Sequence, residues 1–338
     1  MPGFEREAAT AADDGLRSRG MRDLGPPEMR AFRAVERRFL ETAARHGYEE
    51  IRTPTIEPLH LFTGAGGLSP QLLDRVYSFL DWDGWSGERV VLRPDSTLPA
   101  ARWYESTAGA ARGGARLCYV QPVYRFAPGD GEREIWQCGV ELFGVPAPEG
   151  DVELLALARE FVAALGLGAP SFELAHSGLV RSVLAANGLG PAAQLAAYDR
   201  LLDGDDAVVE ELCRERPEQA PALRVLFDVE GGGAGYLDNL RGALLPAVPA
   251  AAGALDELGA AVAALDAAGC AYRILPGTAR NFEYYTGVTF RLRAAGVECL
   301  AGGRYDGLGQ GADGVTIPAS GFGADLLRLA AIARERNS

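Results

Sequence analysis

The chain has 338 residues, 48% hydrophobic and 23% charged, which is typical of a globular protein with a sizeable core. The formal net charge of −13 and the pI near 4.8 argue against a nucleic-acid partner, because phosphate binding rests on cationic patches. All 33 basic residues are Arg, which excludes chemistry that requires a Lys amine, such as a Schiff base or a Walker-type phosphate site.

The ends of the chain and its cysteines indicate a cytoplasmic protein. The five cysteines lack any CxxC spacing and are interpreted as buried thiols in a reducing compartment. The N-terminus has no apolar signal region, and no apolar run is long enough to span a membrane. Residues 1–20 are polar and rich in Ala and Gly, so we expect a flexible tail there.

The first predicted elements are a helix and a strand. Apolar residues at helical spacing follow Pro26-Pro27 and predict a helix over 26–47, which Gly47 would end. The strand Glu49–Thr53 follows and is stopped by Pro54.

Residues 116–125 and 134–143 are strand-like and are joined by the turn residues 128–131, so an antiparallel hairpin with a long loop is expected. A helix over 149–165 and a strand over 171–175 come next.

The composition of the sequence changes between residues 178 and 250. This segment is rich in Ala and Leu and breaks into short helical pieces, so we predict a small helical insertion there. The core then resumes with a helix over 252–268, strands near 271–275, 284–293 and 297–301, and a last helix beginning near Phe322. The predicted fold class is α+β, with an antiparallel sheet flanked by helices.

Two polar residues of the second hairpin strand are candidates for a binding site. Gln137, Gly139 and Glu141 alternate, so they share one face of that strand and leave a hollow between an amide and a carboxylate. On the pattern alone, a half-buried strand with polar residues facing water is the more common explanation. Asp95 and Ser96 similarly look like an ordinary helix N-cap.

A series of motifs favours a binding site over these ordinary explanations. In chain order they are LRPDST (92–97), YRF (124–126), QCGVE (137–141), RNFEYYTG (280–287), GGRYDGL (302–308) and GFGADLLR (321–328). The order and the residues of these motifs resemble those of the catalytic domain of class II histidyl-tRNA synthetases. The resemblance covers roughly residues 21–175 and 252–335. It implies a class II synthetase-like core over 21–177 and 251–338, interrupted by the insertion 178–250.

The resemblance implies a histidine pocket. Gln137 and Glu141 match residues that contact the amino acid, and Tyr285 with its neighbour Tyr284 would line the imidazole pocket. Asp95, with Thr97 two residues on, stands where the synthetases carry a Glu that holds the α-ammonium group. The shorter Asp side chain can still pair with an ammonium at hydrogen-bond distance.

The resemblance also implies a remnant of a phosphate site. Arg125, Arg280 and Arg328 match arginines that lie against ATP in the synthetases. The surrounding residues differ, since Leu327 replaces an acidic residue and Asp325 replaces a glycine. A carboxylate near the ATP phosphates would repel them. We expect no metal and no cofactor, because the three histidines show neither metal-ligand spacing nor a catalytic triad.

The local sequence around Asp95 and Asp325 more closely resembles a second family, the regulatory subunits of ATP phosphoribosyltransferase. Only ten residues follow Arg328, so no anticodon-binding domain is expected. This resemblance implies a non-catalytic subunit that binds and activates a short-form catalytic subunit. It also implies histidine as an effector and self-dimerisation through the helix and strand at 26–54. Two alternatives remain open: a histidine-activating enzyme, favoured by the three arginines, and a structural dimer with an unused pocket.

Overall fold

The structure is a computed structural model that describes residues 17–64, 73–82, 84–107, 114–129, 131–202, 205, 207–278, 284–310 and 316–336.

The elements of the first half follow in chain order. They are α1 (Pro26–Arg45), β1 (Glu49–Glu50), β2 (Ile56–Pro58), α2 (His60–Thr63), β3 (Ser78–Trp82), β4 (Gly87–Leu92), α3 (Thr97–Ser106), β5 (Ala115–Tyr124), β6 (Glu134–Phe143), α4 (Glu149–Ala164) and β7 (Ser171–His176).

The second half begins with helices and returns to strands. Its elements are α5 (Ser177–Ala186), α6 (Pro191–Leu202), α7 (Ala207–Glu215), α8 (Ala220–Phe227), α9 (Ala234–Leu244), α10 (Ala252–Ala267), β8 (Ala271–Ile274), β9 (Val288–Ala294), β10 (Val297–Arg304), β11 (Gly309–Gln310), β12 (Thr316–Ile317), β13 (Ala319–Asp325) and α11 (Leu326–Arg336).

The central feature is a sheet with the strand order β1-β5-β6-β13-β10-β9-β7-β8. Every neighbouring pair from β5 to β7 is antiparallel, while the outer pairs β1–β5 and β7–β8 are parallel. The sheet is therefore mixed, with an antiparallel centre, and the predicted α+β class is confirmed. A smaller sheet has the order β2-β4-β3, and β11 pairs with β12.

The two faces of the central sheet differ in what covers them. On one face, Val140, Leu142 and Phe322 are buried and belong to the main core, which α1, α4 and α11 cover. Phe39 of α1 meets Phe161 of α4 edge to face, with ring centroids 5.2 Å apart. Because successive strand residues alternate, the odd-numbered residues of β6 and β13 point to the opposite face. That face carries the candidate site.

The predicted first helix is confirmed, and the strand after it is shorter than predicted. Gly47 has φ of 79°, a conformation that glycine adopts readily, and it follows the end of α1. The strand stops after Glu50 instead of reaching Thr53. The carbonyl oxygens of Thr53 and Pro54 accept hydrogen bonds from the buried Arg93 guanidinium at 2.7 and 2.9 Å, so this stretch binds a side chain instead of a strand.

Two further boundary predictions are wrong. The strand predicted from residue 284 begins at Val288, because the Thr286 amide bonds to the carbonyl of Arg304 before ladder pairing starts. The last helix begins at Leu326, since Phe322 lies within β13 between β6 and β10. The hairpin β5–β6, α4, β7 and α10 agree with their predictions to within about two residues.

The predicted insertion is helical in the structure. Helices α5 to α9 occupy most of the segment, and their apolar residues, including Leu223 and Leu240, join the same core as the central sheet. The division into a core and an insertion stays a prediction. Within the described ranges, no helix has both the length and the apolar character needed to cross a membrane.

Candidate functional site

The floor of the candidate site is the open face of the central sheet. Gln137, Gly139 and Glu141 lie on one face of β6, as predicted from their alternation. In the register, the β13 residues that stand opposite them, in the same order, are Asp325, Gly323 and Gly321. The β5 residues opposite them are Gln121, Tyr119 and Leu117. The floor is therefore built from the β5–β6 hairpin and from β13, which is distant in sequence.

Glycines keep this floor low. A Cβ on Gly139 would stand 2.5 Å from the Tyr119 hydroxyl, and one on Gly323 would stand 2.9 Å from Nε2 of Gln137. At Gly321 the added atom would collide with Oε2 of Glu141 and lie 2.6 Å from the hydroxyl of Tyr305. The polar side chains thus cross closely over glycine backbone, where any larger residue would displace them.

Glu141 is a buried carboxylate at the centre of the floor, only 1% exposed. The Tyr119 hydroxyl donates a hydrogen bond of 2.9 Å to Oε1. Burial raises the pKa of Glu141 well above its usual value; the Thr97 side chain opposes part of this increase and the Asp95 carboxylate adds to it. Within the described residues, Oε2 has no hydrogen-bond partner, and the same holds for the buried Oε1 of Gln137. Both atoms are suited to accept from a ligand.

Three tyrosine rings form the aromatic side of the site. Tyr284 packs against Tyr285 and against Tyr305, with ring centroids 5.1 Å apart in both pairs. Burial raises the pKa of Tyr284 well above its usual value, and the nearby carboxylates of Asp95 and Glu141 add to the increase. The prediction that Tyr284 and Tyr285 lie on a strand is wrong, since both precede Val288. Both tyrosines nevertheless lie near Glu141, since the charge of that side chain contributes to the raised pKa of both hydroxyls.

Asp95 and Arg125 form the polar wall. Oδ1 of Asp95 accepts the backbone amide of Thr97 at 2.8 Å, and Oδ2 lies 3.7 Å from Nη2 of Arg125. Arg125 also donates from Nε to the carbonyl of Pro94 at 2.7 Å. Burial lowers the pKa of the Arg125 guanidinium, and the Asp95 carboxylate opposes that effect. The cation of this wall is therefore already paired with an internal carboxylate.

Asp325 caps the last helix. Its Oδ1 accepts the backbone amide of Arg328 at 3.1 Å, in the N-cap position just before α11 begins at Leu326. The Arg328 side chain is exposed. The Asp325 carboxylate also acts on Arg125, whose pKa it raises slightly against the effect of burial. The third predicted phosphate residue, Arg280, lies outside the described residues.

A buried arginine that sequence reasoning missed holds the tyrosine segment in place. Arg304 is 2% exposed; its Nε donates to Oδ1 of Asp151 at 2.9 Å and its Nη1 to Oδ1 of Asp306 at 3.0 Å. Its carbonyl accepts the amide of Thr286 at 2.8 Å. Burial raises the pKa of Asp151 to about 6, although the Arg304 charge opposes the increase. Arg304 and Tyr305 both belong to the GGRYDGL motif, which was the available signal.

The arrangement favours a small cationic or zwitterionic ligand that carries a ring. Aromatic rings lie beside two carboxyl groups, Glu141 and Asp95, which both add to the effect of burial in raising the pKa of the Tyr284 and Tyr285 hydroxyls. Within the described residues, no group of three or more His, Cys, Asp or Glu side chains could hold a metal ion. His46 and His176 pair instead with Glu160 and Glu257, at 2.8 and 3.1 Å.

Comparisons with known proteins agree with this reading of the fold. The family described as histidyl-tRNA synthetase matches residues 20–329. A solved structure from Bacillus halodurans, titled as an ATP phosphoribosyltransferase regulatory subunit/histidyl-tRNA synthetase, superposes with a TM-score of 0.80 at 26% identity and covers 98% of this chain and 84% of that one. The chain therefore belongs to the histidyl-tRNA synthetase family.

Curated relatives narrow the family further. A protein of Dehalococcoides mccartyi strain CBDB1 named ATP phosphoribosyltransferase regulatory subunit is 44% identical over 93% of this chain and 76% of its own length. A protein of the same name from Anaeromyxobacter dehalogenans strain 2CP-1 is 36% identical over 91% and 88%. The histidine–tRNA ligase of Methanospirillum hungatei is 31% identical over 92% and 74%. Within the family, this chain belongs with the ATP phosphoribosyltransferase regulatory subunits.

Proposed function

We propose that this chain is a non-catalytic regulatory subunit that binds and activates a short-form ATP phosphoribosyltransferase catalytic subunit and carries a histidine site used in feedback inhibition. The 44% identity to a protein of that name supports the first part of the proposal. The pocket supports the second, because its carboxylates and tyrosines suit the ammonium and imidazole groups of histidine.

One observation carries the non-catalytic assignment: internal carboxylates already occupy the groups that would hold a nucleotide phosphate. Asp95 pairs with Arg125, and Asp325 accepts the amide of Arg328 at the N-terminus of α11. A helix N-terminus and an arginine are the usual anion-binding elements. With a carboxylate on each, a phosphate would meet like charge and would lose donors to internal partners.

The alternative is a histidine-activating enzyme that forms an adenylate. It is favoured by the positions of Arg125 and Arg328 in motifs that resemble those of the synthetases, and by the relative named histidine–tRNA ligase. It requires that ATP displace Asp95 or Asp325 from these partners. We give it second place for that reason.

A mixing experiment tests the proposal. The purified chain is added to a short-form ATP phosphoribosyltransferase from the same source, and phosphoribosyl-ATP formation is followed with and without histidine. We expect the catalytic subunit to be activated by this chain and histidine to suppress the activated rate. No activation and no co-migration of the two chains would contradict the proposal. Histidine-dependent exchange between ATP and pyrophosphate, measured on the chain alone, then tests the alternative.

The coupling expected between histidine and activation is of ordinary size. If histidine binds the active and inhibited assemblies with different affinity, the coupling free energy is on the order of 1–3 kcal/mol. The same coupling must appear in reverse, so the catalytic subunit should change the histidine affinity of this chain by the same factor.

A further inference from the structure

The small sheet β2-β4-β3 exposes an apolar strand at its edge. Phe79, Leu80 and Trp82 of β3 are 41%, 55% and 61% exposed, and every residue of β3 is exposed. Large side chains so exposed on one short strand are unusual for a surface that only meets water. We name the β3–β4 hairpin, residues 78–82 and 87–92, the edge hairpin.

The edge hairpin also has an open side. In the part of the chain that the structure describes, β3 pairs with β4 alone, so the outer backbone groups of β3 have no neighbouring strand. Such an edge is a template for a strand from another chain.

The two faces of the hairpin have different chemistry. Leu80 and Trp82 share a face, and both pack over Gly87, where an added Cβ would lie 2.8 Å from Leu80 and 3.0 Å from Trp82. The other face carries Phe79 and Asp81, and Asp81 stands directly opposite Glu88. Neither carboxylate has an ion pair among the described residues, and two like charges in opposed positions destabilise a strand pair.

The charges of Asp81 and Glu88 favour a different polypeptide over a second copy of this chain as the partner of the edge hairpin. If a second copy added its own β3 to this edge, it would bring a second pair of the Asp81 and Glu88 carboxylates to the same small surface. The exposed Arg89 cannot compensate, because it stands opposite Leu80 on the other face. A different polypeptide with basic side chains would neutralise the pair instead.

We propose that the edge hairpin is the docking surface for the catalytic subunit, which presents a strand with apolar side chains toward Leu80 and Trp82 and a basic group toward Asp81 and Glu88. This inference rests on the proposed function, since it assigns the partner named there to a surface. The edge hairpin contains none of the proposed pocket residues: Gln137 and Glu141 lie on β6, and Asp95 and Thr97 follow the end of β4.

Two double variants test the surface. Leu80→Ser with Trp82→Ser removes the apolar contacts, and Asp81→Arg with Glu88→Arg reverses the charge. The matched controls are Val229→Ser, an apolar residue 45% exposed elsewhere, and Glu218→Arg with Asp238→Arg, two exposed acids outside the hairpin. Affinity for the catalytic subunit is measured by calorimetry at two salt concentrations, self-association by light scattering, and histidine affinity on each variant alone.

We expect each hairpin variant to weaken binding of the catalytic subunit about tenfold or more, while its histidine affinity and self-association match those of the wild type. The charge-reversed variant places like charges against the basic group of the partner, so salt should strengthen its binding instead of weakening it. Wild-type affinity in both hairpin variants would overturn the surface assignment and leave the proposed function standing. A change in self-association instead would identify a second copy as the occupant and would also overturn it. If the wild-type chain itself does not bind the catalytic subunit, both proposals fail together.

Discussion

The hydroxyl of Tyr119 donates a hydrogen bond of 2.9 Å to Oε1 of Glu141, and the second carboxylate oxygen has no partner among the described residues. One oxygen is thus held by the protein while the other is available to a ligand. This relationship fixes the orientation of the carboxylate in the absence of a ligand, which would lower the entropy lost when the proposed histidine ligand binds.

The first prediction concerns the role of Glu141 in binding. Glu141→Ala should weaken histidine binding by roughly 1.5–3 kcal/mol, the range for hydrogen bonds to charged groups. Assembly with the catalytic subunit should be unchanged. Calorimetry of histidine binding, with co-migration as the assembly readout, checks both parts. Unchanged histidine affinity in the variant would remove Glu141 from the pocket.

The second prediction concerns pH. Burial raises the pKa of Glu141 above its ordinary value, so the folded protein keeps a proton there that the unfolded chain has already lost. The free energy of unfolding therefore falls as pH rises from the ordinary glutamate pKa through the raised value. Glu141→Gln should remove this part of the pH dependence, as seen by urea unfolding at several pH values. A wild-type minus variant difference that is flat with pH would contradict the assignment.

The same ionisation should affect binding in the opposite direction. A neutral carboxyl attracts a cationic ligand less than a carboxylate does, so histidine affinity should rise as pH passes upward through the raised pKa of Glu141. The Glu141→Gln variant serves as the control, since its affinity should lack this component.

The third prediction concerns the glycine floor. Gly321→Ala should reduce stability by about 1–3 kcal/mol and abolish measurable histidine binding, because the added carbon meets Glu141 and backbone. Gly307→Ala is the matched control, since nothing lies within 4 Å of its added carbon. Thermal unfolding and calorimetry on the two variants provide the comparison. Equal behaviour would mean that the floor adapts.

The fourth prediction separates the two effects of Asp325. Asp325→Ala removes the cap of α11 and should cost roughly 0.5–2 kcal/mol of stability. Asp325→Asn keeps a capping oxygen but removes the charge, so it should retain most of the stability. If the carboxylate repels phosphate, both variants should bind ATP more tightly than the wild type, as measured by calorimetry. Identical ATP affinity in all three proteins would leave Asp325 with the capping role alone.

The fifth prediction concerns Arg304. Arg304→Leu leaves the buried Asp151 without its main cationic partner and should cost about 3–5 kcal/mol near neutral pH. The pKa of Asp151 is already about 6 and should rise further, so the loss should be smaller at pH 5, where the carboxyl is neutral. Urea unfolding at both pH values tests this, with the exposed Arg38→Leu as control. A loss independent of pH would contradict the pairing.

Local periodicity explains what the sequence could predict. The alternation of Gln137, Gly139 and Glu141 is a property of a single strand, and the structure retains it. Tyr119 was missed although its hairpin was predicted, because the pattern of one strand does not set its register with the next. The pair formed by Arg304 and Asp151 was missed because it joins segments 153 residues apart. The helix cap at Asp325 was missed for another reason. The sequence favoured a helix from Phe322, which placed Asp325 inside the helix instead of at its start.

The position of β13 has a consequence for folding. This strand, almost the last element of the chain, pairs between β6 and β10 in the middle of the central sheet and supplies Gly321 beneath Glu141. Pairing between such distant segments is slow, because the chain must lose loop-closure entropy before the contacts stabilise it. A chain emerging from the ribosome should therefore lack the proposed histidine site until β13 has paired with β6 and β10. From that point a ligand bound at the proposed site would, by mass action, stabilise every segment that the sheet joins.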